Sequence, residues 1–166
     1  MRVTLMMCLF AVSIAACGGG NSSSGKTSPP AHPESKLQDE YQVMLSLFEE
    51  YVVANATVSV ALQDDGVQSD SEELAKLRED ERELQTLLIM CYEFAYHVNN
   101  FSRKAHRTST DTAADAIKSI RESQPRFPKR SIPSDDYSAF SKARNDYLDQ
   151  TSEFFRALSV YLDATK

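Results

Sequence analysis

The sequence predicts an all-α fold, an antiparallel helical bundle of three long helices plus one short helix, held behind a flexible tether. Three observations predict it. Apolar residues recur at steps of three and four along most of the chain beyond residue 34, the spacing of a helix face. No two strand-like runs exist that could pair into a sheet. All five glycines lie between Gly18 and Gly66, and the remaining strong breakers are prolines gathered in two places. The chain divides accordingly into residues 1–16, residues 17–33 and a helical domain over residues 34–166.

The first helix is expected from about Leu37 to Leu62. Leu37, Tyr41, Met44, Leu45, Phe48 and Val52 form its apolar stripe, with Asp39, Glu40, Glu49 and Glu50 elsewhere. Val52, Ala54, Ala56, Val58, Val60 and Leu62 alternate as a strand would. We extend the helix through them because no turn residue precedes Asp64-Asp65-Gly66 and no second strand stands ready to pair. A loop follows from Asp64 to Asp70, and Ser69 with Glu72 has the spacing of a capping box.

The second helix is expected from about Asp70 to Lys104, on the stripe Leu74, Leu77, Leu84, Leu88, Cys91, Ala95 and Val98. From Thr86 to Phe101 it is apolar on nearly every side, which predicts a helix packed from several directions at the centre of the bundle. Thr108 to Asp111 offers several caps for a short third helix, about Asp111 to Ser123. Pro125, Pro128 and Pro133 interrupt the next segment. The last helix is expected from Ser134 to about Ala164, with Tyr137, Phe140, Tyr147, Leu148, Phe154, Phe155, Leu158, Tyr161 and Leu162 on its buried side.

The chain start reads as an export signal. Arg2 is the only charge before Lys26, and the apolar run Val3–Ala16 has 14 residues, short of the roughly 20 that span a bilayer. It ends in Ile14-Ala15-Ala16-Cys17. This resembles the lipobox of bacterial lipoproteins: an aliphatic residue, two small residues and a cysteine. The resemblance covers residues 1–17 alone. It implies cleavage between Ala16 and Cys17, and diacylation of the Cys17 sulfur with palmitate-like chains. It also implies that Gly18, standing where an Asp would retain the protein at the inner membrane, favours an outer membrane facing the periplasm. Each buried methylene contributes about 0.8 kcal/mol, so two or three chains anchor durably where one does not. Residues 18–33, GGGNSSSGKTSPPAHP, form a tether with an r.m.s. reach of roughly 20 Å.

Without residues 1–16 the chain has 150 residues, 17 basic and 24 acidic. That acidity argues against nucleic acid as a partner. Cys91 is then the only thiol besides Cys17, too few for a disulfide framework. Cys91 falls on the core stripe, where a cysteine packs as a small hydrophobe. Glu93 and His97 are four apart and could share a helix face, yet no second copy completes the carboxylate–histidine set of a di-iron bundle. His106 sits among Arg103, Lys104 and Arg107, a poor place for a metal ion. There is no G-x-S-x-G, H-E-x-x-H or glycine-rich phosphate loop. Neither catalysis, nor a metal, nor a cofactor is expected.

Charge is unevenly spread. Residues 34–81 hold 13 acids and 3 bases, whereas residues 103–130 hold 8 bases and 3 acids. Such runs are commonly solvated faces; read functionally, Arg103, Lys104, Arg107, Arg126, Lys129 and Arg130 form a docking surface for an acidic partner or anionic phosphates. The expectation is a membrane-tethered, non-enzymatic interaction module of the cell envelope with a protein partner: an adaptor, chaperone, pilotin-like or assembly-accessory lipoprotein. An immunity or inhibitor lipoprotein, or a small-ligand or metal carrier, fits the same residues.

Overall fold

A computed structural model describes residues 33–127 and 132–164. They form four helices: α1 Pro33–Asp64, α2 Glu72–His97, α3 Arg103–Glu122 and α4 Ser134–Ala164, with a 3₁₀ turn at Val98–Asn100 between α2 and α3. Among the described residues there is no strand. The fold is all-α, as expected. Cys17, the tether, Lys129 and Arg130 lie outside the described residues, as does the side chain of Arg103.

The ambiguous stretch after Val52 is helix throughout. Tyr51, Asn55, Val58 and Leu62 are its buried positions, at steps of four, three and four. Val53 and Val60 face out. The strand-like alternation came from small residues, Ala54 and Ala56, interleaved with that stripe. α1 is by length and composition apolar enough to cross a bilayer. In this fold its buried side carries hydrogen-bonding groups turned toward α2. The helix ends in a Schellman motif: Gly66 N–H donates to the Gln63 carbonyl at 3.0 Å and Val67 N–H to the Leu62 carbonyl at 3.0 Å. Gly66 has φ +90°, a conformation that a β-carbon disfavours.

Three boundaries differ from the sequence reading. α2 is capped by Ser71, whose Oγ accepts from Leu74 N–H at 3.3 Å, and not by Ser69. The carbonyl of Ser69 instead accepts from Arg78 Nη2. α2 stops at His97, not Lys104. Phe101 is extended, and Ser102 opens α3 by accepting from Ala105 N–H at 3.2 Å. α3 thus begins eight residues before the expected start and is 20 residues long. Thr110 and Thr112, expected near its cap, lie inside it and return their hydroxyls to the carbonyls of His106 and Thr108. A Ser at the right offset won over several later candidates because the break lets buried His106 fold back, its Nε2 2.9 Å from the Val98 carbonyl.

α4, not α2, is the central helix. Both α2 and α4 touch all three other helices, but α4 packs against them the more extensively, chiefly along α1. Its pairing with α1 runs in the opposite sense: Tyr161 meets Glu34, Gln150 meets Glu40, Phe48 meets Tyr147 and Tyr51 meets Phe140. The second half of α2 is covered on one side only. Ile89, Tyr92, Tyr96 and Phe101 stay exposed, with Tyr92 and Tyr96 packed edge-on around Tyr41.

Candidate functional site

Two arrangements of polar side chains compete for a functional reading. The first is internal. Arg144 of α4 is 0% exposed and Asp80 of α2 is 4% exposed. Arg144 Nε donates to both Asp80 oxygens at 3.0 Å, and Nη2 to Oδ1 at 2.7 Å. Nη2 also donates to the Ile120 carbonyl in the last turn of α3, and Tyr51 of α1 donates its hydroxyl to Asp80 Oδ2 at 2.9 Å. One ion pair therefore ties all four helices. Beside it, Asn55 Nδ2 donates to Glu81 at 2.7 Å and the Tyr147 hydroxyl to the Leu84 carbonyl at 2.9 Å. Arg144, Asp80 and Tyr51 are enclosed and bonded to one another, which suits a structural clamp rather than chemistry on a solute.

Cys91 is fully buried, as its place on the stripe suggested. Burial pushes its thiol well above the ordinary range. The same desolvation raises the phenols of Tyr51 and Tyr147, with the Asp80 carboxylate adding to the effect at Tyr51. An unfolded chain ionises such groups between about pH 8.5 and 10. The folded chain keeps them neutral, so the stability they contribute is complete below that range, begins to be lost as pH rises through it, and goes on falling toward the higher folded values. The urea midpoint should therefore fall between pH 8 and pH 10.5. Cys91 should react with a thiol reagent at pH 8 only as the chain unfolds; a midpoint unchanged at pH 10.5, or prompt labelling of folded protein, would contradict the enclosed core.

Glu93 and His97 both end α2, where the His97 ring meets Tyr92 edge-on at 5.9 Å. Among the described residues no group of three or more His, Cys, Asp or Glu side chains gathers as a metal site would require. The basic segment is divided. Lys104 and Arg107 lie in the first turns of α3, whereas Arg126 follows its far end, about 27 Å along the axis at 1.5 Å per residue. The structure does not bring these three onto one compact spot.

The second arrangement is an open groove between α1 and α4, about 610 Å³ in volume. Its lining is small: Ala54 and Thr57 from α1, the Thr57 hydroxyl turned to the Val53 carbonyl, and Ala139 and Ala143 from α4, with Val53 beside them. Glu49, Glu50 and Asp136 stand at its rim. It continues through Thr57 and Asp136 into a hollow of about 470 Å³ edged by Val60, Ala61, Asp64, Asp65 and Pro133. Among the described residues the rim thus carries five carboxylates against one amine, Lys142. That amine is paired with Asp146, whose hydrogen bond and charge hold it protonated, with Glu50 adding to the effect.

No protein-family model, curated protein or solved structure matches this chain. The functional reading rests on the groove's own chemistry.

Sequence reasoning passed over both arrangements. Asp80 stands between Leu77 and Leu84 on the α2 stripe, and Arg144 between Phe140 and Leu148 on that of α4, so each was visible as a charge in a core position. The groove left a weaker signal. Val53 and Val60 are seven apart, a spacing that keeps two residues on one helix face, but Val60 also fitted the strand-like run and Val53 fell outside it.

Proposed function

We propose that the chain is a lipid-anchored, non-enzymatic interaction module of the bacterial envelope, seated at an outer membrane and facing the periplasm. It receives a protein partner in the groove between α1 and α4. The observation that carries this reading is apolar surface left uncovered within a ring of carboxylates. Val53 is 68% and Val60 56% exposed. In the most apolar 18-residue window of α1, only 22% of the residues are buried. Covering such surface contributes about 25 cal/mol per Å².

The chain start supports the tethered part of the reading. Ile14-Ala15-Ala16-Cys17 resembles a lipobox, and Pro33, where α1 begins, is separated from Cys17 by a Gly/Ser/Pro-rich stretch. The groove starts near Ser46, roughly 20 Å along α1 from Pro33. A partner can therefore enter it without meeting the headgroups.

A photo-crosslinking amino acid at Val53, in the full chain in its native envelope, tests the reading. A discrete adduct is expected from Val53 and none from Lys118, exposed on α3. Cys17→Ser should leave an uncleaved precursor that takes up no labelled fatty acid and gives no adduct. Absence of an adduct from Val53 in the native chain would remove the docking reading. Processing and acylation of Cys17→Ser would remove the anchor.

A further inference from the structure

We infer that the occupant of this groove is a cationic amphipathic helix of about five turns, contributed by the partner protein. The inference rests on the docking reading above and names the chemistry of the partner.

Shape argues for a helix. The groove runs along α1 from Ser46 to Asp65, roughly 28 Å, the length of a helix of about 19 residues. Small side chains at Ala54, Ala61, Ala139 and Ala143 form much of its lining. Where α4 lines the groove, from Asp136 to Ala143, roughly 10 Å, they let a third helix approach α1 and α4 together at the short end of the 8–10 Å interaxial range. Val53 and Val60 then stand one heptad apart as the flank against which its apolar stripe would lie, the helix-in-groove mode of recognition.

Charge argues for a cationic one. A helix in the groove passes Glu49, Glu50, Asp64, Asp65 and Asp136, while the one amine on the rim among the described residues, Lys142, is engaged by Asp146. Bases flanking an apolar stripe would meet these carboxylates in an environment the helix itself shields from water. Like charges in juxtaposition are costly. A second copy laying the same groove against this one would place acid on acid, and an anionic lipid surface would do the same. Both are thereby disfavoured as the occupant.

The test uses the acylated full chain in neutral detergent and a fluorescein-labelled 18-residue helical peptide with a Leu/Ala stripe flanked by Lys and Arg. A matched peptide carries Glu at those flanking positions. The cationic peptide should bind saturably at one per chain, and the Glu peptide should not. Reversing Glu49, Glu50 and Asp136 to Lys should raise the Kd at least about tenfold and bring in the Glu peptide, since rim charges set partner choice. Replacing Val53 and Val60 with Ser should weaken the cationic peptide comparably, with the helical circular dichroism unchanged because both sites are exposed.

Four results would overturn the inference. They are no binding of the cationic peptide, equal binding of both peptides, binding indifferent to the Val53 and Val60 changes, and dimerisation or attachment to anionic vesicles that requires Val53. If Val53 still yields a discrete adduct in the envelope while the cationic peptide fails, the docking reading stands and only the partner's chemistry is wrong. If both fail, the groove is not a docking site.

Discussion

Replacing Arg144 with Ala is expected to cost the folded protein about 3–5 kcal/mol, the loss seen when one partner of a buried ion pair is removed. The magnitude follows from what is left behind. Asp80, 4% exposed, would lose its counter-ion and be left with Tyr51 as its side-chain donor. The Ile120 carbonyl would lose the guanidinium that closes the end of α3. Against a total stability of about 5–15 kcal/mol, this single change threatens the fold. Arg144→Lys should recover part of the loss at most, because an ammonium cannot reproduce the two-pronged contact with both Asp80 oxygens. The informative control is the pair Arg144→Met with Asp80→Leu, which removes both charges together. It should be clearly more stable than Arg144→Ala, since hydrophobic replacement of a whole buried pair is often neutral or better. Urea unfolding of the three variants measures this. A double variant no better than the single one would show that the pair matters for its hydrogen bonds to Tyr51 and Ile120 more than for charge balance.

Phe140→Ala should cost a similar 3–5 kcal/mol, by a different route. Removing a buried aromatic ring forfeits its transfer free energy and leaves a cavity that the surroundings only partly fill. Phe140 is 0% exposed and lies one turn before Arg144. Its ring stands 5.9 Å from that of Tyr51 and 6.3 Å from those of Phe127 and Tyr137. It therefore holds the start of α4 against α1 and against the segment after α3. Because Tyr51 also donates to Asp80, the Phe140 and Arg144 sites share a partner, and their losses should not add. A double-mutant cycle with Arg144→Lys should give a coupling of at least about 0.5 kcal/mol. Additivity within error would show that the aromatic cluster and the ion pair stabilise the bundle independently.

Both residues are partly legible in the sequence. Phe140 belongs to the buried stripe that the periodicity of the last helix marks out. Arg144 occupies the next position on that stripe, four residues on, as Asp80 does between Leu77 and Leu84. A charge on an apolar stripe signals either a break in the helix face or a buried partner elsewhere. Which partner is not a local property: Asp80 and Arg144 are 64 positions apart, and only the packing of α2 against α4 makes them neighbours. The break after His97 is hidden for a related reason. Val98 continues the apolar spacing of α2, and Thr108 to Asp111 offers attractive caps, so local signals favour one longer helix and a later start. The buried fit of His106 against Phe94 and Phe101, with ring centroids at 5.2 and 5.7 Å, supports the other solution.

Periodicity, breakers and caps act over a few residues, through backbone sterics and the burial of one face. They suffice, among the described residues, for helix as the only regular element, for a bundle of four, for the Gly66 turn and for Cys91 in the core, and they carry the resemblance of residues 1–17 to a lipoprotein signal. Tertiary structure decided the rest. It made α4 rather than α2 the centre, left Ile89, Tyr92 and Tyr96 uncovered, and spread Lys104, Arg107 and Arg126 along the length of α3. It also laid the small residues of α1 beside those of α4 to open a carboxylate-rimmed groove. The physical reason is that burial and field belong to pairs of surfaces. A valine such as Val53 is core or docking surface according to which helix lies beside it, and one helix's sequence does not contain that neighbour.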